Sequence, residues 1–299
     1  MSVVVPLYNH ARYIGGAVAS ILAQGPIVRE IVVIDDGSTD DSAQIMQALA
    51  AKDPRIRFRS QANQGAHATL NAALAEATGE LAAILNSDDA YLPGRLDTLA
   101  DMLDDQPDAS IAASQLTFMD GAGQASANEW HDRAWAFHRN GAAMGVALVN
   151  GNFLMTTSNF VFRRALLDEI GSFASLRYAH DLDFALRALA FGKRIVVLDD
   201  ALLRYRVHAS NTIAEDHRAV RAEWAMVTAG YLTLLWDRPG APPIDWAKAS
   251  AMQDVLQRHE LARAVALTMA YLRRHDAAPL ERSPLLADSG FRFHVREWV

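Results

Sequence analysis

Residues 81–89 read Leu-Ala-Ala-Ile-Leu-Asn-Ser-Asp-Asp, an apolar run that ends in two carboxylates. Five apolar residues in succession predict a strand that is buried on both faces, as in a parallel sheet. Charged groups are costly to bury, so Asp88 and Asp89 are expected at the open end of this strand, where a metal or a ligand can meet them. Pro93 then begins a predicted helix with an apolar face. The alternative is a loop whose solvated acids cap that helix.

The chain before this stretch alternates between short apolar strands and helices. Strands are predicted at residues 2–6, 30–34 and 56–58, and helices lie between them. This alternation predicts an α/β fold with a doubly wound, mostly parallel sheet flanked by helices. Beyond residue 103 the pattern loosens. The further predicted strands are 111–119, 160–162, 194–198 and 202–207, and the further helices are 141–149, 164–170 and 181–191.

Predicted strands alternate with helices up to about residue 213, and only helices and an irregular tail are predicted after it. This change predicts a boundary between an α/β domain, residues 1–213, and a helical C-terminal extension, residues 214–299. The extension carries one long predicted helix, one or two more helices and an irregular tail. These segments are 214–236, 245–274 and 282–299.

Composition excludes several classes of protein. The 299 residues include 51% hydrophobic and 21% charged residues, which is typical of a globular enzyme. A formal net charge of −7 argues against nucleic acid as a partner. Cysteine is absent, so disulfides and thiolate metal sites are excluded and a reducing compartment is expected. The start does not resemble a signal peptide and no window has the length of a spanning helix, so a cytoplasmic protein is expected.

Motifs at the predicted strand ends and helix starts carry a family resemblance. They lie in five segments, Val3–Asn9, Ile31–Asp40, Leu85–Asp89, Gly171–Arg187 and Tyr205–His208. In this order the segments resemble the signature of the inverting family 2 glycosyltransferases of GT-A fold. The resemblance runs from residue 2 to about residue 212 and leaves the C-terminal helices uncovered. It implies a donor-binding half at about 1–105 and an acceptor half at about 106–213.

The resemblance implies a site for a nucleotide-diphosphate sugar, with a UDP-sugar favoured. Pro6, Tyr8 and Asp36 would meet the base. The alternative is that Asp36 only shapes a turn and caps a helix. Gly65, Asn86 and Ser87 complete the expected nucleotide-binding residues. Asp89 and Arg95 are expected either at the donor sugar or in an ion pair with each other.

A divalent cation, Mn2+ or Mg2+, is implied at the diphosphate, because oxygen ligands on a hard cation neutralise the charge that develops there. Asp88 is the expected direct ligand, and His208 the expected imidazole ligand or diphosphate contact. The family pattern has an Asp where this chain has Asn86, so the cation is expected to bind less tightly without the nucleotide.

Asp181 is the expected general base, since a carboxylate is suited to take the proton of an attacking hydroxyl. Its place at the start of a predicted helix fits an N-cap equally well. The family commonly has Glu before this Asp, whereas this chain has His180. Asp183 and Arg187 are expected to form a structural pair one helical turn apart. Trp130 and Trp135 are candidates for acceptor stacking.

The predicted function is therefore inverting transfer of a hexose or N-acetylhexosamine to a saccharide or lipid-linked saccharide acceptor. A sugar-phosphate nucleotidyltransferase is an alternative, although no Gly-rich basic phosphate loop follows the first strand. An inactive nucleotide-sugar-binding domain is another, and Asn86 favours it. The C-terminal helices could form a homodimer interface or bind peripherally to the inner face of a membrane. The simplest interpretation is that their apolar faces pack against the core.

Overall fold

Four parallel strands form one side of the sheet in this computed structural model, which describes residues 1–208, 211, 215–241, 243–275 and 289–299. The strands are β1 (Ser2–Leu7), β2 (Glu30–Asp35), β3 (Ile56–Ser60) and β4 (Leu81–Ile84). They lie in the order β3-β2-β1-β4, so their carboxyl ends share one edge. The buried residues of β1, β2 and β4 give the sheet its apolar centre.

Short and long strands continue the sheet beyond β4. They are β5 (Ala90–Tyr91), β6 (Ala109–Asp120), β7 (Ala125–Ser126), β8 (Val161–Arg163) and β9 (Arg194–Val207). In the described part of the chain, the nine strands follow the order β3-β2-β1-β4-β8-β6-β9-β5, with β7 beside β6. β8 runs antiparallel to β4 and β6, whereas β6 and β9 are parallel. The α/β class and mostly parallel sheet predicted from the sequence are confirmed.

The two strands predicted at 194–198 and 202–207 are one continuous strand, β9. Its register against β6 shifts near Ser114 and Gln115, where Leu198 and Ala201 become successive partners. Asp199 and Asp200 fall in this irregularity, and their polarity interrupts the apolar pattern from which two separate strands were predicted.

The chain divides into two compact units. The first comprises Met1–Ala127, Thr156–Glu169 and Arg194–His208 and contains the whole sheet. Four helices of this unit are α1 (Ile14–Leu22), α2 (Ser42–Ala50), α3 (Ala66–Glu76) and α4 (Arg95–Asp105). Helix α4 begins two residues after Pro93, because Gly94 takes a left-handed conformation at its N-cap.

The second unit comprises Asn128–Met155, Ile170–Lys193 and Ala209–Val299 apart from the undescribed residues. Its helices are α5 (Glu129–Arg139), α6 (Met144–Asn150), α8 (His180–Ala190), α9 (His217–Asp237), α10 (Trp246–Arg258), α11 (Ala262–Arg274) and α12 (Ser289–Trp298). The short α7 (Leu166–Ile170) spans the point where the chain passes between the units.

Some helices differ from the prediction. Helix α5 was not predicted, and α12 occupies part of the expected irregular tail, whose residues 282–288 lie outside the described chain. The predicted boundary at residues 213 and 214 also lies outside the described residues. Among the helices that are described, none has the length and apolar character needed to cross a bilayer.

Candidate active site

Polar residues collect where the parallel strands β1, β2 and β4 end. Residues 8–10 follow β1, Asp36 follows β2, and residues 86–89 follow β4. Parallel pairing places these strand ends at one edge of the sheet, which is where ligands bind in open α/β folds.

Asp88 and His208, the two predicted metal ligands, lie side by side in the first unit. Asp88 Oδ2 is 2.9 Å from His208 Nε2, and the two side chains are only 11% and 8% exposed. The end of β9 brings His208 to this position, and Arg206 fixes the approach by donating from Nε to the Asp88 carbonyl oxygen at 2.8 Å. A carboxylate oxygen and an imidazole nitrogen at this separation suit a first-row divalent cation.

His10 is a third residue of this cluster and was not predicted from the sequence. One ring nitrogen of His10 lies within 4.8 Å of the ligand atoms of both Asp88 and His208. The rings of His10 and His208 meet edge to face at 5.8 Å, and Tyr13 stacks on His208 at 5.4 Å. Burial lowers the pKa of His10, which favours the neutral imidazole.

Asp89, the residue after Asp88, is buried and 2% exposed. Its Oδ2 accepts from the Ser158 hydroxyl at 2.6 Å and its Oδ1 from the Arg206 amide at 2.9 Å. Burial, and then the negative charge of Asp88, raise the pKa of Asp89 well above its ordinary value. These two hydrogen bonds tie the end of β4 to β9 and to the turn around Ser158.

Arg95 has no exposed surface. Its guanidinium donates to the Ser114 hydroxyl and to both the side-chain and the backbone oxygen of Asn159. Burial lowers the pKa of Arg95 to about 10. Since protein groups enclose this side chain, a structural role fits Arg95 better than the predicted donor-sugar contact or ion pair with Asp89.

Asp36 organises the loop that precedes α3. Its Oδ1 accepts from the Gln61 side chain and the Gln64 amide, and its Oδ2 accepts from the Gly65 amide, each at 2.9 Å. Gly65 has a φ of +89°, a conformation that favours glycine. The carboxylate is 3% exposed, so the loop takes up most of its acceptor capacity.

Of the other residues predicted to bind the nucleotide, Asn86 and Ser87 are hydrogen-bonded within the protein, whereas Tyr8 and Pro6 have exposed surface. The Asn86 amide is committed to two threonines, donating to Thr156 Oγ1 at 2.9 Å and accepting from Thr157 Oγ1 at 3.1 Å. The Ser87 hydroxyl lies 2.7 Å from Nδ1 of His10. Tyr8 is 47% exposed, so its ring is open to a ligand. Pro6 is partly exposed near the end of β1.

Asp181 belongs to the second unit and occupies the first turn of α8. Its Oδ2 accepts from Asn152 Nδ2 at 2.8 Å and its Oδ1 from the Leu182 amide at 2.8 Å. The residue is 6% exposed, and this burial raises the pKa of Asp181 to about 6. The predicted N-cap role is not seen, because Ala179 is the N-cap of α8. A carboxylate with such a pKa is suited to accept a proton near neutral pH.

Glu223 of α9 holds the segment that leads into α8. Its carboxylate accepts from the amides of Arg177, Tyr178 and Ala179 at 2.7–3.0 Å, and Arg292 of α12 pairs with it at 2.9 Å. Sequence reasoning did not single out Glu223, because it lies in a region that the family motifs do not cover.

Two further predictions concern the second unit. Asp183 and Arg187 form a buried ion pair at 2.8 Å, as the i,i+4 spacing predicted. Both acceptor-stacking candidates lie on α5, with Trp130 43% exposed and Trp135 9% exposed. Trp135 packs against Phe153, so it contributes to the core, and only Trp130 of the two presents a large exposed surface.

Comparisons of sequence identify the family to which this chain is similar. The sequence model described as Glycosyl transferase family 2 matches residues 2–171. An uncharacterized glycosyltransferase of Nostoc sp. is 29% identical over 232 residues, which cover 77% of this chain and 71% of the relative. The succinoglycan biosynthesis protein ExoU of Rhizobium meliloti is 33% identical over 231 residues, 73% of this chain and 65% of ExoU.

Solved structures share the fold. TarS of S. aureus in complex with UDP has a TM-score of 0.62 at 23% identity, with 86% of this chain and 71% of that chain covered. The mannosyltransferase PcManGT of Pyrobaculum calidifontis, in complex with GDP-Man and Mn2+, has a TM-score of 0.63 at 20% identity, with 99% and 84% covered. At these identities the likeness concerns the GT-A-like fold.

Proposed function

Because this chain belongs to glycosyltransferase family 2, a family of enzymes that transfer sugars, we propose that it uses a nucleotide-diphosphate sugar as donor. The acceptor is a hydroxyl of a saccharide or of a lipid-linked saccharide, and the transferred group is a hexose or an N-acetylhexosamine. UDP is the nucleotide that the family resemblance favours, and the two solved structures of similar fold are in complex with nucleotide diphosphates of different base, UDP in TarS and GDP-Man in PcManGT. The observation that carries the proposal is the Asp88–His208 pair beyond the carboxyl ends of the parallel strands.

Asp88 and His208 would hold the divalent cation, and Asn86 would remain a structural residue. When bound, Mn2+ or Mg2+ supplies positive charge that stabilises the departing diphosphate. Arg206 holds Asp88 by donating a hydrogen bond to the Asp88 carbonyl oxygen. Asp89 holds the same turn by accepting from the Arg206 amide. The exposed Tyr8, with Pro6 and Ser87, would contact the nucleotide at the same strand ends.

Asp181 would act as the general base of a single displacement. Its carboxylate takes the proton of the acceptor hydroxyl while the hydroxyl oxygen bonds to the anomeric carbon. The bond between that carbon and the diphosphate oxygen breaks at the same time, so the anomeric configuration inverts. Burial supports this role, because an ordinary Asp with a pKa near 4 would be a weaker base than one with a pKa of about 6.

Calorimetric titration of the purified protein with UDP, with and without Mn2+, tests the donor site. We expect UDP to bind more tightly with Mn2+, and Asp88→Asn to remove that gain. Asp97→Asn is the matched control, because Asp97 is an exposed carboxylate on α4 and is not one of the residues of the cluster. A screen of nucleotide sugars for Mn2+-dependent thermal stabilisation then identifies the donor.

Three outcomes would contradict the proposal. An affinity for UDP that changes neither with Mn2+ nor with Asp88→Asn would refute the role of the cation. Metal-dependent binding of nucleotide sugars without transfer to any saccharide or lipid-linked acceptor would favour an inactive binding domain. Product that retains the donor's anomeric configuration would exclude the single displacement.

A further inference from the structure

His10 stands next to the predicted cation ligands although it comes from a different strand end. It follows β1, whereas Asp88 follows β4 and His208 follows β9. The three residues offer ligand atoms that all lie within 4.8 Å of one another. Donor atoms this close together, supplied by three separate strand ends, could bind one cation.

The ring of His10 is oriented by a neighbouring hydroxyl. Its Nδ1 lies 2.7 Å from Ser87 Oγ, which can accept the Nδ1 proton. Metal-binding histidines are usually held in this way, with one ring nitrogen hydrogen-bonded and the other bound to the ion. With Nδ1 engaged by Ser87, Nε2 remains available to bind a cation.

The backbone around His10 is also held firmly. The amides of Asn9, His10 and Ala11 donate to side-chain oxygens of Ser38, Ser42 and Asp40 at 2.8, 3.0 and 3.0 Å. Asn9 has a φ of +52°, a left-handed conformation that turns the chain sharply at the end of β1. A ligand on such a constrained turn is in place before the cation arrives.

The third ligand matters because Asn86 stands at a position where the family resemblance led us to expect an Asp. Its amide is already bonded to Thr156 and Thr157, so it is poorly placed to bind an ion as well. We propose that His10 is the third protein ligand of the cation, so that two imidazoles and one carboxylate make the site prefer Mn2+ over Mg2+. This inference rests on the proposed function, because it needs the cation site there.

The chemical reason for the preference is the ligand set. Mg2+ demands oxygen ligands and gains little from imidazole, whereas Mn2+, as a first-row transition ion, binds imidazole nitrogen as well as oxygen. Replacing His10 should therefore weaken Mn2+ much more than Mg2+.

The test is calorimetry of Mn2+ and of Mg2+ in the presence of UDP. In His10→Asn we expect Mn2+ affinity to fall by about tenfold or more and Mg2+ affinity to change by about twofold or less. His10→Asp restores an oxygen ligand and should bind Mg2+ more tightly than either His10→Asn or the wild type. His217→Asn is the matched control, because it makes the same change at an exposed histidine outside the cluster.

A measurement on the wild type covers the case in which the His10 variants do not fold. Electron spin-echo modulation of the Mn2+ complex should show nitrogens from two bound imidazoles, and His208→Asn should show one. A single imidazole in the wild type, or unchanged Mn2+ affinity in folded His10→Asn, would overturn the role of His10. If wild-type protein with UDP bound no Mn2+ at all, the cation in the proposed function would fail, and the His10 inference with it.

Discussion

Replacing Asp181 by Asn should make the folded protein more stable and should greatly slow sugar transfer. Burial raises the pKa of Asp181 from its ordinary 3.8 to about 6. The folded state thus binds this proton more tightly than the unfolded chain does, and the free energy of unfolding falls as pH rises from about 4 to about 6. Each pKa unit is worth about 1.4 kcal/mol, so the charged carboxylate costs about 3 kcal/mol of stability at neutral pH.

A neutral Asn at this position carries no buried charge, so it avoids that cost in stability. It offers one acceptor oxygen where Asp181 accepts from both Asn152 and Leu182, so one hydrogen bond worth about 1 kcal/mol disappears. We therefore expect Asp181→Asn to be more stable than the wild type by about 2 kcal/mol at pH 7.5. Transfer activity should fall by about two to four orders of magnitude, which is the usual contribution of a general base.

Chemical denaturation of both proteins at pH 4.5 and pH 7.5 measures the effect. The difference in unfolding free energy should move in favour of Asp181→Asn by about 2 kcal/mol between the two pH values. The substituted Asn does not titrate, so the change in this difference between the two pH values reports the ionisation of Asp181.

Asp183→Asn is the matched control on the same helix. It removes one partner of the buried Asp183–Arg187 pair, so it should destabilise the protein by about 3–5 kcal/mol. An Asp181→Asn variant whose relative stability does not change with pH would refute the raised pKa. A folded Asp181→Asn variant with full transfer activity would refute the base assignment.

Two further predictions concern the pH dependence and Arg95. The kcat/KM of transfer should rise with pH through about 6 and then level, because Asp181 can act as a base only when it is deprotonated. Initial rates between pH 5 and 8 measure this profile. A flat profile would contradict the prediction. Arg95→Met should destabilise the protein by about 3 kcal/mol, since it leaves buried Ser114 and Asn159 groups without their donor, and should leave UDP affinity unchanged by calorimetry. A large loss of UDP affinity in the folded variant would restore the donor-contact interpretation of Arg95.

The parallel part of the fold was predictable because its signals are local. Runs of buried apolar residues, each followed by a polar turn, define β1, β2 and β4, and parallel strands must end at the same edge. The proximity of Asp88 and His208 could be anticipated only from the family resemblance, since β9 brings His208 across 120 residues of chain.

Other features depend on contacts that no local pattern encodes. His10 approaches Asp88 because three side chains between Ser38 and Ser42 bind the backbone of its turn. Asp36 bonds to a loop nearly thirty residues later, which its strand-end position does not reveal. Arg95 could have faced solvent or the interior at the start of its helix, and only the packing decides between them.

The interleaved order of the two units limits how such a chain can diversify by recombination. Glu223 comes late in the chain, yet it binds the amides of Tyr178 and Ala179, and Trp224 donates to the carbonyl oxygen of Val149. A single crossover between two homologous genes near residue 209 would join α9 from one parent to α6 and α8 from the other. Hybrids of that kind would inherit mismatched halves of this hydrogen-bonded cluster, so exchange of all three segments together is the route that keeps Asp181 supported.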